Sequence, residues 1–148
     1  MPMNILFLGD IMGRSGRDAL AKELPPLKKQ LKLDFVVVNA ENATSGAGLN
    51  VEHAEQIFKL GVDCITLGDH AFDQREMISY IQQEPRIIRP LNFAKKAPGH
   101  GFGVFTSGTG KRVLVTQVLG QVFMKKNFSD PFSSLETVFN NTKLGQSC

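Results

Sequence analysis

The chain has 148 residues, 42% of them apolar and 21% charged, the size and balance of a single globular domain with one core. No stretch approaches the ~18 consecutive apolar residues of a membrane span and no basic leader precedes the first apolar run, so a cytoplasmic protein without a membrane role is expected. A net charge of +3, from 17 basic and 14 acidic residues, is too mild to indicate a nucleic-acid binder, though it favours a phosphate-bearing ligand.

The first apolar run, Ile5-Leu6-Phe7-Leu8, stops at Gly9-Asp10 and predicts a buried strand ending in a loop. Leucines at 20, 24, 27 and 31 then recur at helical spacing after Ser15-Gly16-Arg17-Asp18, which resembles a capping box, and Pro25-Pro26 predicts a kink or break. The run Phe35-Val36-Val37-Val38 predicts a second strand, ending at Asn39-Ala40-Glu41-Asn42. A helix is expected over 51–60, capped by Asn50, burying Ala54, Ile57 and Phe58, and stopped by Gly61. The run Cys64-Ile65-Thr66-Leu67 ends at Gly68-Asp69-His70. Asp73-Gln74-Arg75-Glu76 then opens a third helix burying Met77, Ile78 and Ile81. Strands alternating with helices predict an α/β fold with a parallel sheet, and the three strand ends are expected on one rim.

From Arg86 onward Pro90, Pro98, Gly99, Gly101 and Gly103 break this rhythm. Strands are expected at 104–106 and 112–118, in antiparallel or mixed sheet, and a helix at 130–139, after which residues 140–148 trail off without another strand. Cys64 lies in an apolar run and Cys148 is terminal, so both are expected as free thiols.

Ligands of open α/β sheets bind beyond the carboxyl ends of the strands, where Asp10, Glu41, Asn42, Asp69 and His70 all fall. Carboxylates and amide oxygens are hard donors for divalent ions, and a histidine beside them can bind metal or protonate a leaving alkoxide. A carboxylate shared by two ions clamps a phosphate for in-line attack by water, and Glu41 is the candidate for that bridge. Each residue also has a structural reading: Asp10 as a turn former, Glu41-Asn42 as solvated loop, His70 as partner to a carbonyl. Gly9, Gly13 and Gly16 do not match the G-x-G-x-x-G or G-x-x-x-x-G-K-[ST] spacing of nucleotide-cofactor sites. Ser45-Gly46-Ala47-Gly48 reads as a flexible loop, and His53 and His100 as surface or structural residues.

The segments Gly9-Asp10-Ile11-Met12-Gly13-Arg14-Ser15-Gly16-Arg17, Asn39-Ala40-Glu41-Asn42-Ala43 and Gly68-Asp69-His70-Ala71-Phe72-Asp73 resemble, in this order, the YmdB-type branch of the calcineurin-like metallophosphoesterases. The resemblance continues through Arg89-Pro90-Leu91-Asn92-Phe93, Pro98-Gly99-His100-Gly101 and Gly120-Gln121-Val122-Phe123 to Asp130-Pro131-Phe132. It implies an α/β/β/α sandwich, incomplete here, over a single domain of residues 1–148, and a hydrolase of 2',3'- or 3',5'-cyclic nucleotides. It further implies two divalent ions, iron or manganese, with Asp10 and Asn42 on the first, Glu41 between them, Asp69 facing the second and His70 as proton donor.

Two departures accompany the resemblance. Asp69 stands where the family motif has asparagine, which adds a negative charge and removes an amide donor. The family's later His-x-Glu and Gly-x-His-x-His segments do not occur, and the histidines number three: 53, 70 and 100. A truncated enzyme is therefore expected, needing its missing half from the same or another chain. The rival expectation is a non-catalytic fragment or interaction module that binds at most one ion. An uncovered sheet edge would also favour self-association.

Overall fold

The computed structural model describes residues 3–148. Four strands, β1 (Ile5–Leu8), β2 (Phe35–Asn39), β3 (Cys64–Thr66) and β4 (Ile87–Ile88), form a parallel sheet in chain order, linked by α1 (Gly13–Gln30), α2 (Val51–Lys59) and the short α3 (Met77–Tyr80). An antiparallel hairpin follows, β5 (Phe102–Thr106) with β6 (Arg112–Thr116), and then α4 (Pro131–Asn141). This is the mixed α/β class expected. Among the described residues no helix is long and apolar enough to cross a membrane.

The period-two geometry of strands explains why β2 is apolar from Phe35 to Val38: these side chains serve two cores. Val36 and Val38 join Leu20, Leu24, Ala54, Ile57, Ile65 and Met77 in the core on the helical face. Phe35 and Val37 point the other way, where Cys64, Ile88 and Val115 meet them and Phe105 and Val113 of the hairpin pack alongside. Burying an aliphatic or aromatic side chain of this kind contributes about 1.5–3 kcal/mol.

Several expectations are corrected. β1 is an edge strand and not a buried one, with Ile5 50% and Phe7 58% exposed because the hairpin packs against β2, β3 and β4 and not against β1. Helix α1 runs unbroken through Pro25 and Pro26; both prolines are exposed, as are Ala21 and Lys22, so the carbonyls left without N–H partners face water. Nor does a capping box start it. The extended Met12 precedes Gly13, at φ +55°, and the Gly13 amide donates to the Asn42 carbonyl at 2.9 Å.

Helix α3 is shorter than expected and leaves Ile78 exposed. β4 was not foreseen, since two residues between Arg86 and Arg89 carry no readable periodicity. The hairpin strands are shifted by two residues at one end each, and α4 extends two residues past Phe139, with Asp130 Oδ2 capping the Ser133 amide at 2.7 Å. In α2 the Asn50 Oδ1 caps the His53 amide at 2.8 Å, as expected.

Candidate functional site

Parallel pairing places the ends of β1, β2 and β3 on one edge, and backbone hydrogen bonds carry the alignment past the strands. Ile11 N–H donates to the Asn39 carbonyl and Ala40 N–H to the Thr66 carbonyl, each at 3.0 Å. Asp10 is thereby set beside Asn42, and Glu41 beside Gly68. The 41–48 segment closes on itself, with Gly48 N–H donating to the Glu41 carbonyl at 2.6 Å and Thr44 N–H to the Gly48 carbonyl at 2.9 Å. The loop expected to be flexible is a set of hydrogen-bonded turns.

The Asn42 side-chain amide donates to Asp10 Oδ2 at 2.9 Å. Glu41 sits deeper. Its Oε2 is buried with no hydrogen-bond partner, and burial raises its pKa, an effect moderated by the His70 backbone amide and reinforced by the nearby charges of Asp69 and Asp10. A carboxylate held against desolvation and like charge is a costly arrangement that a cation relieves.

His70 is oriented rather than free. Its Nδ1 lies 2.6 Å from Asp73 Oδ2, and its Nε2 lies 3.9 Å from Asp69 Oδ2. The hydrogen bond to Asp73 raises the His70 pKa against the opposing effect of burial, and Asp69, Asp73 and Glu41 add to the rise electrostatically. A raised pKa favours the protonated ring.

All five site residues read from the sequence therefore gather at one rim. Two further participants were not read as such. Asp73 reads from the sequence as part of a helix start, although its i+3 spacing from His70 is a signal for pairing. Gly68 leaves room for Glu41: a Cβ there would overlap the Glu41 carboxyl group. His53 is structural, with Nδ1 2.8 Å from Thr44 Oγ1.

The donor set suits a hard divalent ion, being three carboxylates and an amide, one carboxylate oxygen buried and unpartnered. Yet among the described residues no group of three or more His, Cys, Asp or Glu side chains is gathered closely enough to hold an ion by itself. Asp69 and Asp10 both act on Glu41 through their charge. Beside them, a mainly apolar hollow of about 480 Å³ runs from Asp10 along α1 past Leu20, Leu24 and Leu27.

Comparison with known proteins gives a consistent assignment. The chain is 36% identical over 130 residues to the 2',3'-cyclic-nucleotide 2'-phosphodiesterase of Bacillus subtilis strain 168, covering 88% of this chain and 48% of that protein. Its fold matches the crystal structure of a hypothetical protein from Thermus thermophilus, with a TM-score of 0.87 and 35% identity over 95% of this chain and 54% of the other. It also matches the crystal structure of a novel phosphatase from Mycoplasma pneumoniae, with a TM-score of 0.86 and 32% identity over 95% of this chain and 52% of the other. The chain spans about half the length of the relatives it matches. The model of the YmdB-like protein family matches residues 6–148, and the chain belongs to that family.

Proposed function

We propose that this chain carries part of the site of a metal-dependent phosphodiester hydrolase acting on a small phosphodiester such as a cyclic nucleotide. The observation that carries the reading is the buried, unpartnered Glu41 oxygen, with Asp10 and Asp69 near its carboxyl group and the oriented His70 at the same rim. The name of the Bacillus subtilis relative supports the substrate class.

In this reading Asp10 and Asn42 would hold one ion, Asp69 would serve a second and Glu41 would serve both. Divalent ions, iron or manganese, would supply Lewis acidity toward the phosphoryl oxygens and acidify water there. The chain's own residues do the rest. Asp73 fixes the His70 ring through Nδ1, which leaves Nε2 to deliver a proton to the departing alkoxide. The Asn42 amide fixes the Asp10 carboxylate, so that one donor is set before an ion arrives.

A second reading follows from the want of a gathered group of three such ligands among the described residues: a non-catalytic member of the family that binds at most one ion. One assay separates them, hydrolysis of 2',3'-cyclic AMP by the purified chain with manganese, alongside an Asp10→Ala control and a calorimetric count of bound ions. Turnover lost in the control, with two ions per site, supports the hydrolase. A folded chain that takes one ion or none and turns nothing over supports the second reading, and adding the unmatched half of the Bacillus relative then tests whether ligands from elsewhere complete the site.

A further inference from the structure

The segment between β6 and α4 returns to the rim. Asp69 and His70 form one wall of a cleft of about 320 Å³, and Phe123, Lys125, Lys126 and Phe128 contribute the other. That volume lies at the small end of the range for ligand pockets, suited to a mononucleotide and not to a longer strand.

The rings of this wall differ in kind. Phe128 stacks on Phe93 with centroids 5.3 Å apart and planes 8° apart, and Phe93 leans on Phe72 at 5.8 Å, so these rings brace one another. Phe123 makes no ring contact among the described residues and is fully exposed, at 101%. It is also held at φ +63°, a conformation that bulky L-residues rarely adopt and that recurs at ligand clamps. An aromatic face with neither burial nor partner, on strained backbone beside an oriented histidine, is a free stacking platform. Lys125 and Lys126 stand next to it, exposed, and neither has an ion-pair partner among the described residues.

We propose that this cleft is the base subsite: Phe123 stacks on the purine or pyrimidine ring of the substrate while Lys125 and Lys126 neutralise the phosphate facing His70. The choice of a nucleotide over other phosphodiesters rests on the hydrolase reading above; the need for a flat anionic ligand rests on the ring and the two lysines alone.

The test is binding of adenosine 2'-monophosphate and of inorganic phosphate to the whole chain with divalent ions chelated, followed by ligand-observed NMR. The expected result is tighter binding of the nucleotide than of phosphate. In Phe123→Ala the nucleotide should bind about tenfold more weakly with phosphate unchanged, Phe123→Tyr should restore it, and Lys125→Ala with Lys126→Ala should weaken both ligands. Phe123→Gly accepts the positive φ without strain and so controls for folding, yet should lose the nucleotide as the alanine variant does. Nucleotide affinity unchanged in Phe123→Ala and Phe123→Gly, or no preference for nucleotide over phosphate in the unmodified chain, would overturn the proposal. A separate manganese titration isolates the other reading: no manganese binding together with Phe123-dependent nucleotide binding would sink the metal hydrolase and leave the subsite standing.

Discussion

Gly68 and Glu41 are complementary in shape: the glycine at the end of β3 leaves vacant the volume that the Glu41 carboxyl group fills. The backbone of Gly68 does not lie in the left-handed region, so alanine is acceptable to it in every respect except this contact. Gly68→Ala is therefore expected to displace Glu41, costing roughly 1–3 kcal/mol by overpacking and lowering manganese affinity. Thermal unfolding and a manganese titration check both, and an alanine variant with unchanged affinity would show that the position of Glu41 is immaterial to the ion.

Removing the charge of Glu41 should have opposite effects on stability and on binding. In the metal-free chain Glu41→Gln relieves a carboxylate that burial and the charges of Asp69 and Asp10 disfavour, so its melting temperature at pH 7 should rise. Manganese binding should weaken in the same variant. A fall in melting temperature in the presence of chelator would mean that the glutamate is held by partners and is not strained.

The Glu84–Arg86 pair supplies a pH dependence. Glu84 Oε1 accepts from Arg86 Nε at 2.8 Å and Oε2 from Nη2 at 2.6 Å, while the guanidinium lies 3.9 Å from the Phe58 ring centroid on α2. The hydrogen bonds from the Arg86 side chain hold the Glu84 pKa below its ordinary 4.5. A depressed carboxylate stabilises the fold above its unfolded pKa, and that contribution disappears as pH falls through the folded pKa. Because the Arg86 side chain is 45% exposed, Glu84→Gln should cost only about 0.5–1 kcal/mol at pH 7. The difference from the unmodified chain should shrink to nothing below the carboxylate range, measured by urea unfolding across pH.

The two thiols should react in two distinct phases. Cys64 is fully buried between the sheets, and burial pushes its thiol up to about 12, whereas Cys148 is partly exposed. The thiolate is the reactive form, so one equivalent of a disulfide reagent should be consumed by native protein at pH 8 and the second only on unfolding. Two rapid equivalents would show that the core around Cys64 opens readily.

The alternation of apolar runs with helical leucine spacing made the parallel sheet legible, because strand and helix periods are local properties of the chain. The same logic placed Asp10, Glu41, Asn42, Asp69 and His70 on one rim, since every parallel strand delivers its following residues to the same edge. Residues 87–88 were not legible as a strand, because a two-residue element is recognised only by the neighbour it pairs with. Helix α1 misled for a related reason: Pro25 and Pro26 are breakers by local chemistry, but their exposure leaves the unpaired carbonyls to water.

The sequence by itself thus determined the order of elements, the class of fold and the chemistry available at the strand ends, all of which follow from short-range patterns. Only the tertiary structure decided how those groups are held. The Asp73 carboxylate on His70, the space at Gly68 that admits Glu41, the exposure of Ile5 and Phe7 on β1 and the cleft beneath Phe123 depend on contacts between segments distant in the chain or on which surfaces their packing leaves open. Burial and orientation are properties of the packed molecule, and they turn a row of polar residues into a desolvated carboxylate beside an oriented histidine.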